Sequence, residues 1–242
     1  MIARPLLLAV LALTLAACAG DDNDSSTQAG GTTTSASGSP HSASEAPVGS
    51  PKESVEDFLG AIESADQNLS WGLLSSDTKV TFQIDKQHWV EVLMPALKKE
   101  LSPTGKVLFQ KKFGPDKAIV VVDAGRRKTP VAFAVRGEGG EWHMQLFYPE
   151  FTPTRPAPGE TVKAGKTPLL IDVVRRRDAD MTMQVFMDGK EVPVSVQDRG
   201  NFLVTYAGTL NAKPGSHLLV AYATTDTSND LAGGTAWRFS AK

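Results

Sequence analysis

Hydrophobic positions follow a helical period in the first third of the folded sequence. Between residues 54 and 101, apolar side chains recur three and four positions apart, as in Val55, Phe58 and Ile62. This spacing predicts three amphipathic helices. Ser54, with an acidic residue three positions later, predicts the N-cap of the first helix. Pro95 falls inside the third predicted helix and predicts a kink or a restart of the helix there.

From Lys106 onward the hydrophobic period is two, which is the period of a β-strand. The alternation predicts four antiparallel strands before a proline-rich connector at residues 149–159, and six or so short strands after it. Asp188-Gly189 separates two alternating runs and predicts a two-residue type I′ hairpin turn. Residues 118–122 and 218–223 are apolar at every position, which predicts strands covered on both faces. The pattern therefore predicts an α+β domain followed by a β-sandwich.

The N-terminal segment carries a targeting signal. One positive charge, Arg4, precedes an apolar run, Leu6 to Ala17, that is too short to span a bilayer comfortably. The run ends at Cys18, and Leu15-Ala16-Ala17-Cys18 resembles the lipobox of bacterial lipoproteins. The resemblance implies cleavage before Cys18 and a diacylglyceryl group on its sulfur. An ordinary secretory signal with a chance cysteine is the alternative.

The predicted boundaries follow from these segments. Residues 1–17 are a signal peptide, and residues 18–52 are a lipidated cysteine with a Ser/Thr/Gly-rich linker that has little to bury. Residues 53–153 form the α+β domain and residues 154–242 form the sandwich. We expect a protein held by its acyl chains on the extracytoplasmic face of a bacterial membrane.

Both predicted domains resemble known families. Three segments of the first domain are similar to the NTF2-like superfamily, which includes SnoaL-type and DUF4878-type domains. These segments are residues 54–62, 71–75 and 140–144. That resemblance implies an α+β cone, with helices, an antiparallel meander and a pocket at the open end. Residues 214–223 and 237–239 resemble bacterial Ig-like or fibronectin-III-like modules, which implies an all-β Ig-like sandwich. The expected fold class is thus an NTF2-like cone plus an Ig-like sandwich.

Composition narrows the range of chemistry. The net charge of −2 over 242 residues indicates no nucleic-acid partner. Cys18 is the only cysteine, so its lipidation leaves no thiol for a disulfide or a thiolate zinc site. No Ser-His-Asp order, zinc-protease motif or glycine-rich phosphate loop occurs, so we expect no metal and no cofactor.

Four sets of residues are candidates for function. An acid–base pair in the first domain would consist of His143 or His88 together with Asp85 or Asp123. The alternative is that these side chains are solvated or packed and have no catalytic role. The aromatic residues Trp71, Trp89, Trp142 and Tyr148 can line a ligand pocket or form core. An oxygen-rich loop with Asp226, Asn229 and Asp230 matches no calcium motif. Two basic runs, residues 126–128 and 175–177, are solvated turns or contacts to anionic headgroups or wall polymers.

The first functional hypothesis is a lipid-anchored, non-catalytic scaffold that binds a small ligand or docks an envelope protein or wall polymer. An NTF2-like enzyme of isomerase or dehydratase type is the first alternative. Cell-wall adhesion through the Ig-like module is the second. The lipid anchor is compatible with all three hypotheses.

Overall fold

Helices form the first part of the fold. The structure, a computed structural model, describes residues 47–103, 105–125, 129–146, 150–174, 181–200, 202–225 and 231–242. Ser50 caps the first helix in a capping box with Glu53, and Pro51 occupies the first helical turn. The helices are α1 (Pro51–Ser64), α2 (Gln67–Gly72), α3 (Ser76–Thr81), α4 (Lys86–His88) and α5 (Met94–Glu100), with a π-helical turn (Trp89–Leu93) before α5.

Strands follow in three sheets. The first sheet is a meander, in the order β1-β2-β3-β4, of β1 (Val107–Lys112), β2 (Lys117–Val122), β3 (Val131–Glu138) and β4 (Glu141–Gln145). The second has the order β10-β11-β7-β5 and the third β6-β13-β12-β8-β9. Their strands are β5 (Glu150–Arg155), β6 (Thr161–Val162), β7 (Gly165–Val174), β8 (Met181–Met187), β9 (Lys190–Val192), β10 (Val194–Asp198), β11 (Leu203–Ala212), β12 (Gly215–Thr225) and β13 (Ala232–Ala241).

These elements stack as four layers. Helix α1 contacts β2 and β4 on one face of the first sheet, where Phe58 meets Phe133 with ring centroids 6.0 Å apart. The other face of the first sheet packs on the third sheet through β3 and β13. The third sheet in turn faces the second sheet across a shared apolar core. The third sheet is therefore covered on both sides.

Strand alternation explains this double burial. On β12, Leu219 and Ala221 point into the core shared with the second sheet, while Val220 and Tyr222 point toward the first sheet. On β2, Ile119 and Val121 point toward the third sheet. The surface between the first and third sheets, called the seam below, contains the buried side chains Ile119, Val121, Ala134, Phe186, Val220, Tyr222 and Ala232.

A row of aromatic rings and one glycine fit the two sheets together at the seam. Phe109 lies 5.3 Å from Phe186, and Phe113 stacks on Tyr222 at 4.1 Å with nearly parallel planes. Gly234 on β13 lies against Ile119, and a Cβ at position 234 would be 2.5 Å from the Ile119 Cδ1 atom. The absence of a side chain at Gly234 lets β13 approach the first sheet closely.

The predicted fold class is wrong. The described residues are mostly β, with three sheets and about twice as many residues in strands as in helices, and they do not form an α+β NTF2-like cone. Among the described residues, the long helical runs are α1 and the continuous stretch from α4 through the π-helical turn to α5, residues 86–100. The face of the meander opposite the helices is covered by another sheet. The second and third sheets, packed face to face, remain compatible with a sandwich.

Local predictions differ in smaller ways. The N-cap is Ser50 rather than Ser54, because Pro51 lets the helix begin earlier, and the Ser54 hydroxyl is buried and donates to the Trp142 carbonyl at 2.5 Å. Around Pro95, where a kink or a restart is predicted, the chain stays helical, and the π-helical turn passes directly into α5 with helical dihedrals at Leu93 and Met94. Part of the predicted connector is strand β5, which pairs with β7. The predicted boundary between residues 153 and 154 therefore falls within a strand.

Removing a large side chain from the seam tests this layered packing. Phe186 is 1% exposed, so Phe186→Ala should lower the free energy of unfolding by about 3–5 kcal/mol. Urea denaturation should show a lower midpoint with an unchanged slope. Val196→Ala, at a residue that is 61% exposed, is the control and should change stability by less than about 0.5 kcal/mol. Equal effects of the two substitutions would contradict burial at the seam.

Candidate functional site

His88 and Asp85 serve to start a helix. The Asp85 carboxylate accepts a hydrogen bond from the backbone N–H of His88 at 2.7 Å, which makes Asp85 the N-cap of α4. The contact involves the His88 backbone and not its imidazole ring. Asp85 is exposed and His88 half-buried, so the pair lies at the surface.

His143 lies on β4 and Asp123 directly follows β2, and each bonds to a partner outside the candidate set. The His143 Nδ1 donates to the Gly72 carbonyl at 3.0 Å. Asp123 accepts a hydrogen bond from the Arg238 guanidinium at 3.3 Å, an ion pair between the end of β2 and β13. Within the described ranges, no hydrogen bond joins either histidine ring to either aspartate. These four candidate residues therefore do not form an acid–base pair with one another.

Two of the candidate tryptophans are core residues. Trp89 is fully buried, and its Nε1 donates to Ser70 Oγ at 3.1 Å. Trp142 is 2% exposed and faces the helices. Trp71 is half-buried beneath Lys79, whose Nζ lies 4.7 Å from the ring centroid. Burial lowers the pKa of Lys79, and the nearby Glu138 carboxylate opposes that shift.

Several predicted sites lie outside the described residues. These are Cys18, Tyr148, the two basic runs at residues 126–128 and 175–177, and the loop with Asp226, Asn229 and Asp230. In the part of the chain that is described, no three His, Cys, Asp or Glu side chains cluster as metal ligands.

A half-open cleft lies at the edge of the seam. Its floor is built from two cross-strand pairs on the seam face of the third sheet, Thr182 with Thr224 and Gln184 with Tyr222. The β1–β2 hairpin overhangs this floor, and its closing hydrogen bond, from the Phe113 N–H to the Lys117 carbonyl, brings Phe113 and Lys117 together. All six residues line a volume of about 180 Å³.

The cleft is lined by polar, apolar and charged groups. The Gln184 amide oxygen is buried without a hydrogen-bond partner among the described residues, although a buried acceptor ordinarily has one. Thr182 and Thr224 add hydroxyl groups, Phe113 an apolar wall and Lys117 a cation. The lining thus places polar groups beside an aromatic ring, a combination typical of small-ligand sites, with the Gln184 oxygen enclosed behind the accessible surface.

A buried histidine forms a second feature, which is distant in sequence from the predicted candidates. His217 is the third residue of β12, is 8% exposed and stacks on Phe239 of β13 at 5.1 Å. Its Nδ1 donates to Asp188 Oδ2 and its Nε2 donates to the Lys213 carbonyl, both at 2.6 Å. Burial acts to lower the pKa of His217, but the hydrogen bonds to Asp188 and Lys213 and the Asp188 charge outweigh it, so the pKa is raised.

This histidine and aspartate are not a catalytic dyad. In a Ser-His-Asp triad the second ring nitrogen takes a proton from the nucleophile. The Nε2 of His217 instead bonds to a backbone carbonyl. The pair holds two turns together.

Sequence reasoning missed both features for physical reasons. Thr182 and Gln184 are the polar residues in the alternating pattern of β8. In a two-layer sandwich the polar face of a strand is exposed to water. Phe186, the next residue on the same face, is apolar and is the one residue there that indicates burial. The Asp188-Gly189 turn is the feature of the sequence that indicates the contact with His217, because the side chain of a turn aspartate readily accepts hydrogen bonds.

Comparisons with known proteins identify no family. No family model matches the chain, and no curated protein matches it. Among solved structures, an engineered protein from the Northeast Structural Genomics Consortium is 17% identical over 39% of this chain and 20% of its own, with a TM-score of 0.30. CopC from Methylosinus trichosporium OB3b is 14% identical over 38% of this chain and 94% of its own, with a TM-score of 0.27. The chain thus spans only a fifth of the first structure, and these scores support no conclusion about fold or function.

A search of the described residues for membrane-spanning segments found no helix of sufficient length and apolar character to cross a bilayer.

The assignment of Trp89 to the core predicts a cost for removing its partner. Ser70→Ala would leave the buried indole N–H without an acceptor, so it should lower the free energy of unfolding by about 1–3 kcal/mol. Thermal or urea unfolding measures this change. Ser195→Ala on the exposed edge strand β10 is the matched control and should be nearly neutral. No loss in the Ser70 variant would show that the indole finds solvent or another acceptor.

Proposed function

We propose that this chain is a lipid-anchored, extracytoplasmic protein that binds a small polar ligand in the cleft at the seam and catalyses no reaction. The observation that carries the proposal is the buried amide oxygen of Gln184, which has no partner in the described structure and lines the cleft. A ligand donor that reaches this enclosed oxygen would remove the cost of leaving it unsatisfied.

The size of the cleft limits its ligand. Ligand sites for drug-sized molecules enclose roughly 300–1,000 Å³. The cleft, at about 180 Å³, lies below that range. A single sugar ring or a single amino-acid residue suits this volume. Either could come from a free molecule or from the end of a wall polymer.

The cleft chemistry points to the same ligand class. The Gln184 oxygen requires an N–H or O–H donor, and the threonine hydroxyls of β8 and β12 can donate or accept. Phe113, whose ring stacks on Tyr222, adds apolar surface to the lining. We therefore favour a hydroxyl- or amide-bearing ring over a purely apolar ligand.

The lipid anchor is proposed from the sequence alone. The charge, apolar run and small residues before Cys18 support lipidation at its sulfur. The enzyme alternative depended on the pocket of an NTF2-like cone and loses that basis with the fold.

Ligand binding can be tested by mapping perturbed amides. Monosaccharides, N-acetylhexosamines and amino acids are added one at a time to the labelled protein. At least one compound should shift the amide resonances of Thr182, Gln184 and Tyr222. That compound should also raise the thermal midpoint with increasing concentration. Shifts confined to other surfaces, or none with any compound, would contradict the proposed site.

Gln184→Leu provides the matched variant. Removing the unsatisfied oxygen should leave the unliganded protein at least as stable as the wild type, while weakening binding of the active compound roughly two- to tenfold. Gln110→Leu makes the same change at an exposed position of β1 outside the cleft and should leave affinity unchanged. Equal affinities of all three proteins would exclude a role for the Gln184 amide.

The anchor has its own test. Cys18→Ala should abolish incorporation of an alkyne fatty-acid label and release the protein from the membrane fraction or leave it unprocessed, because the sulfur is the proposed acyl acceptor. Cys18→Ser is the closest control in shape and should behave in the same way. Label that persists in either variant would contradict lipidation at this residue.

A further inference from the structure

The turns at one end of the sandwich are joined through a single imidazole ring. The turn between β8 and β9 contains Asp188 and Gly189, both with positive φ. The turn between β11 and β12 contains Lys213. His217 lies between these turns and bonds to one group from each. A hydrogen-bonded chain thus runs from one turn, through the ring, to the other.

The hydrogen bonds require a doubly protonated ring. Both partners of His217, a carboxylate oxygen and a carbonyl oxygen, are acceptors, so both ring nitrogens must carry hydrogen. A neutral imidazole has one N–H, and its other nitrogen carries a lone pair. After loss of one proton, a lone pair would face an oxygen at 2.6 Å. Both contacts can be hydrogen bonds at the same time only in the imidazolium form.

We propose that His217 is a pH-sensitive latch, which in its protonated form closes the β11–β12 turn against the β8–β9 turn and in its neutral form releases the Lys213 carbonyl. The proton that stays is the one on Nδ1, because it faces the charged carboxylate. The Nε2 contact is the one that is lost. Release frees the β11–β12 turn, while Asp188 stays fixed by its other bonds.

Those other bonds make Asp188 the fixed side of the latch. Its Oδ1 accepts a hydrogen bond from the Leu218 N–H at 2.9 Å, and its own N–H donates to the Leu218 carbonyl at 2.9 Å. Neither bond depends on the protonation of His217. The carboxylate therefore keeps its place beside β12 in both states.

The charged groups around the ring are few. From the β8–β9 hairpin, Asp188 contacts the ring and Lys190 follows the turn. From the β11–β12 turn, Lys213 contributes its carbonyl and carries a cation. From β13 the facing residue is the uncharged Phe239. Asp188 is thus the acidic group in direct contact, and the balance of these contacts raises the pKa of His217.

The direction of the pH effect follows from that raised pKa. Because the folded pKa exceeds the unfolded value of about 6.5, the latch contributes its full stability below about pH 6.5 and loses it as the pH rises through the folded pKa. Stability contributed by this group therefore falls toward alkaline pH.

Proton NMR on the intact protein tests the latch without a variant. The His217 Hε1 resonance should titrate with a midpoint above 6.5, and the amide resonances of Lys213 and Gly215 should move with the same midpoint. The amide of Leu218 should stay protected throughout. A midpoint at or below 6.5, or turn amides that do not follow the ring, would overturn the proposal.

Variants give a second, independent readout. The wild-type thermal midpoint should fall by roughly 2–4 °C between pH 6 and pH 9, and His217→Gln should remove that fall. Asp188→Asn should lower the His217 titration midpoint by removing the facing charge. His143→Gln, which changes a histidine bonded only through Nδ1, is the control and should keep the wild-type pH dependence. Retention of the full pH dependence in His217→Gln would refute the latch.

Discussion

The structure depends on the burial of one apolar surface between two sheets. Strands β2 and β12 are apolar at nearly every position. The sheet that contains each strand therefore needs a packed layer on both of its faces. Packing Ile119 and Val121 against Val220 and Tyr222 satisfies both strands at once. The helices then cover the far face of the first sheet, and the second sheet covers the far face of the third. The order of the four layers follows from this one contact.

Sequence patterns predicted the elements better than their arrangement. The four strands of the meander and the Asp188-Gly189 hairpin lie where the alternation places them, because a local period reports which residues face the same side. The pattern of β12 also predicts cover on both faces. It does not identify the covering layer, since any apolar surface would serve, and matching β12 to β2 requires contacts across about a hundred residues of sequence. The resemblance to a cone supplied a different partner for the meander, and that partner was wrong.

The candidate site was less accessible to prediction than the fold. The predicted acid and base residues were chosen by chemical type, yet Asp85 is a helix cap and Asp123 an ion-pair partner, which are roles that a carboxylate fills as readily as catalysis. Gln184 belongs to the polar phase of its strand, so the pattern predicts exposure. It is instead half-buried, with its amide oxygen enclosed, where the β1–β2 hairpin of the first sheet overhangs the third. The hydrophobic period along one strand cannot predict a site whose lining comes from two different sheets.

The close approach at Gly234 carries a consequence for how this sequence can change over evolutionary time. A side chain at this position of β13 would collide with Ile119 of β2, more than a hundred residues earlier in the chain. A larger residue at 234 therefore becomes acceptable only when position 119 shrinks, so the two sites should covary in any lineage that alters either of them. Genetic exchange that replaces the C-terminal half alone would separate this matched pair. Recombinants that inherit both halves together would keep it.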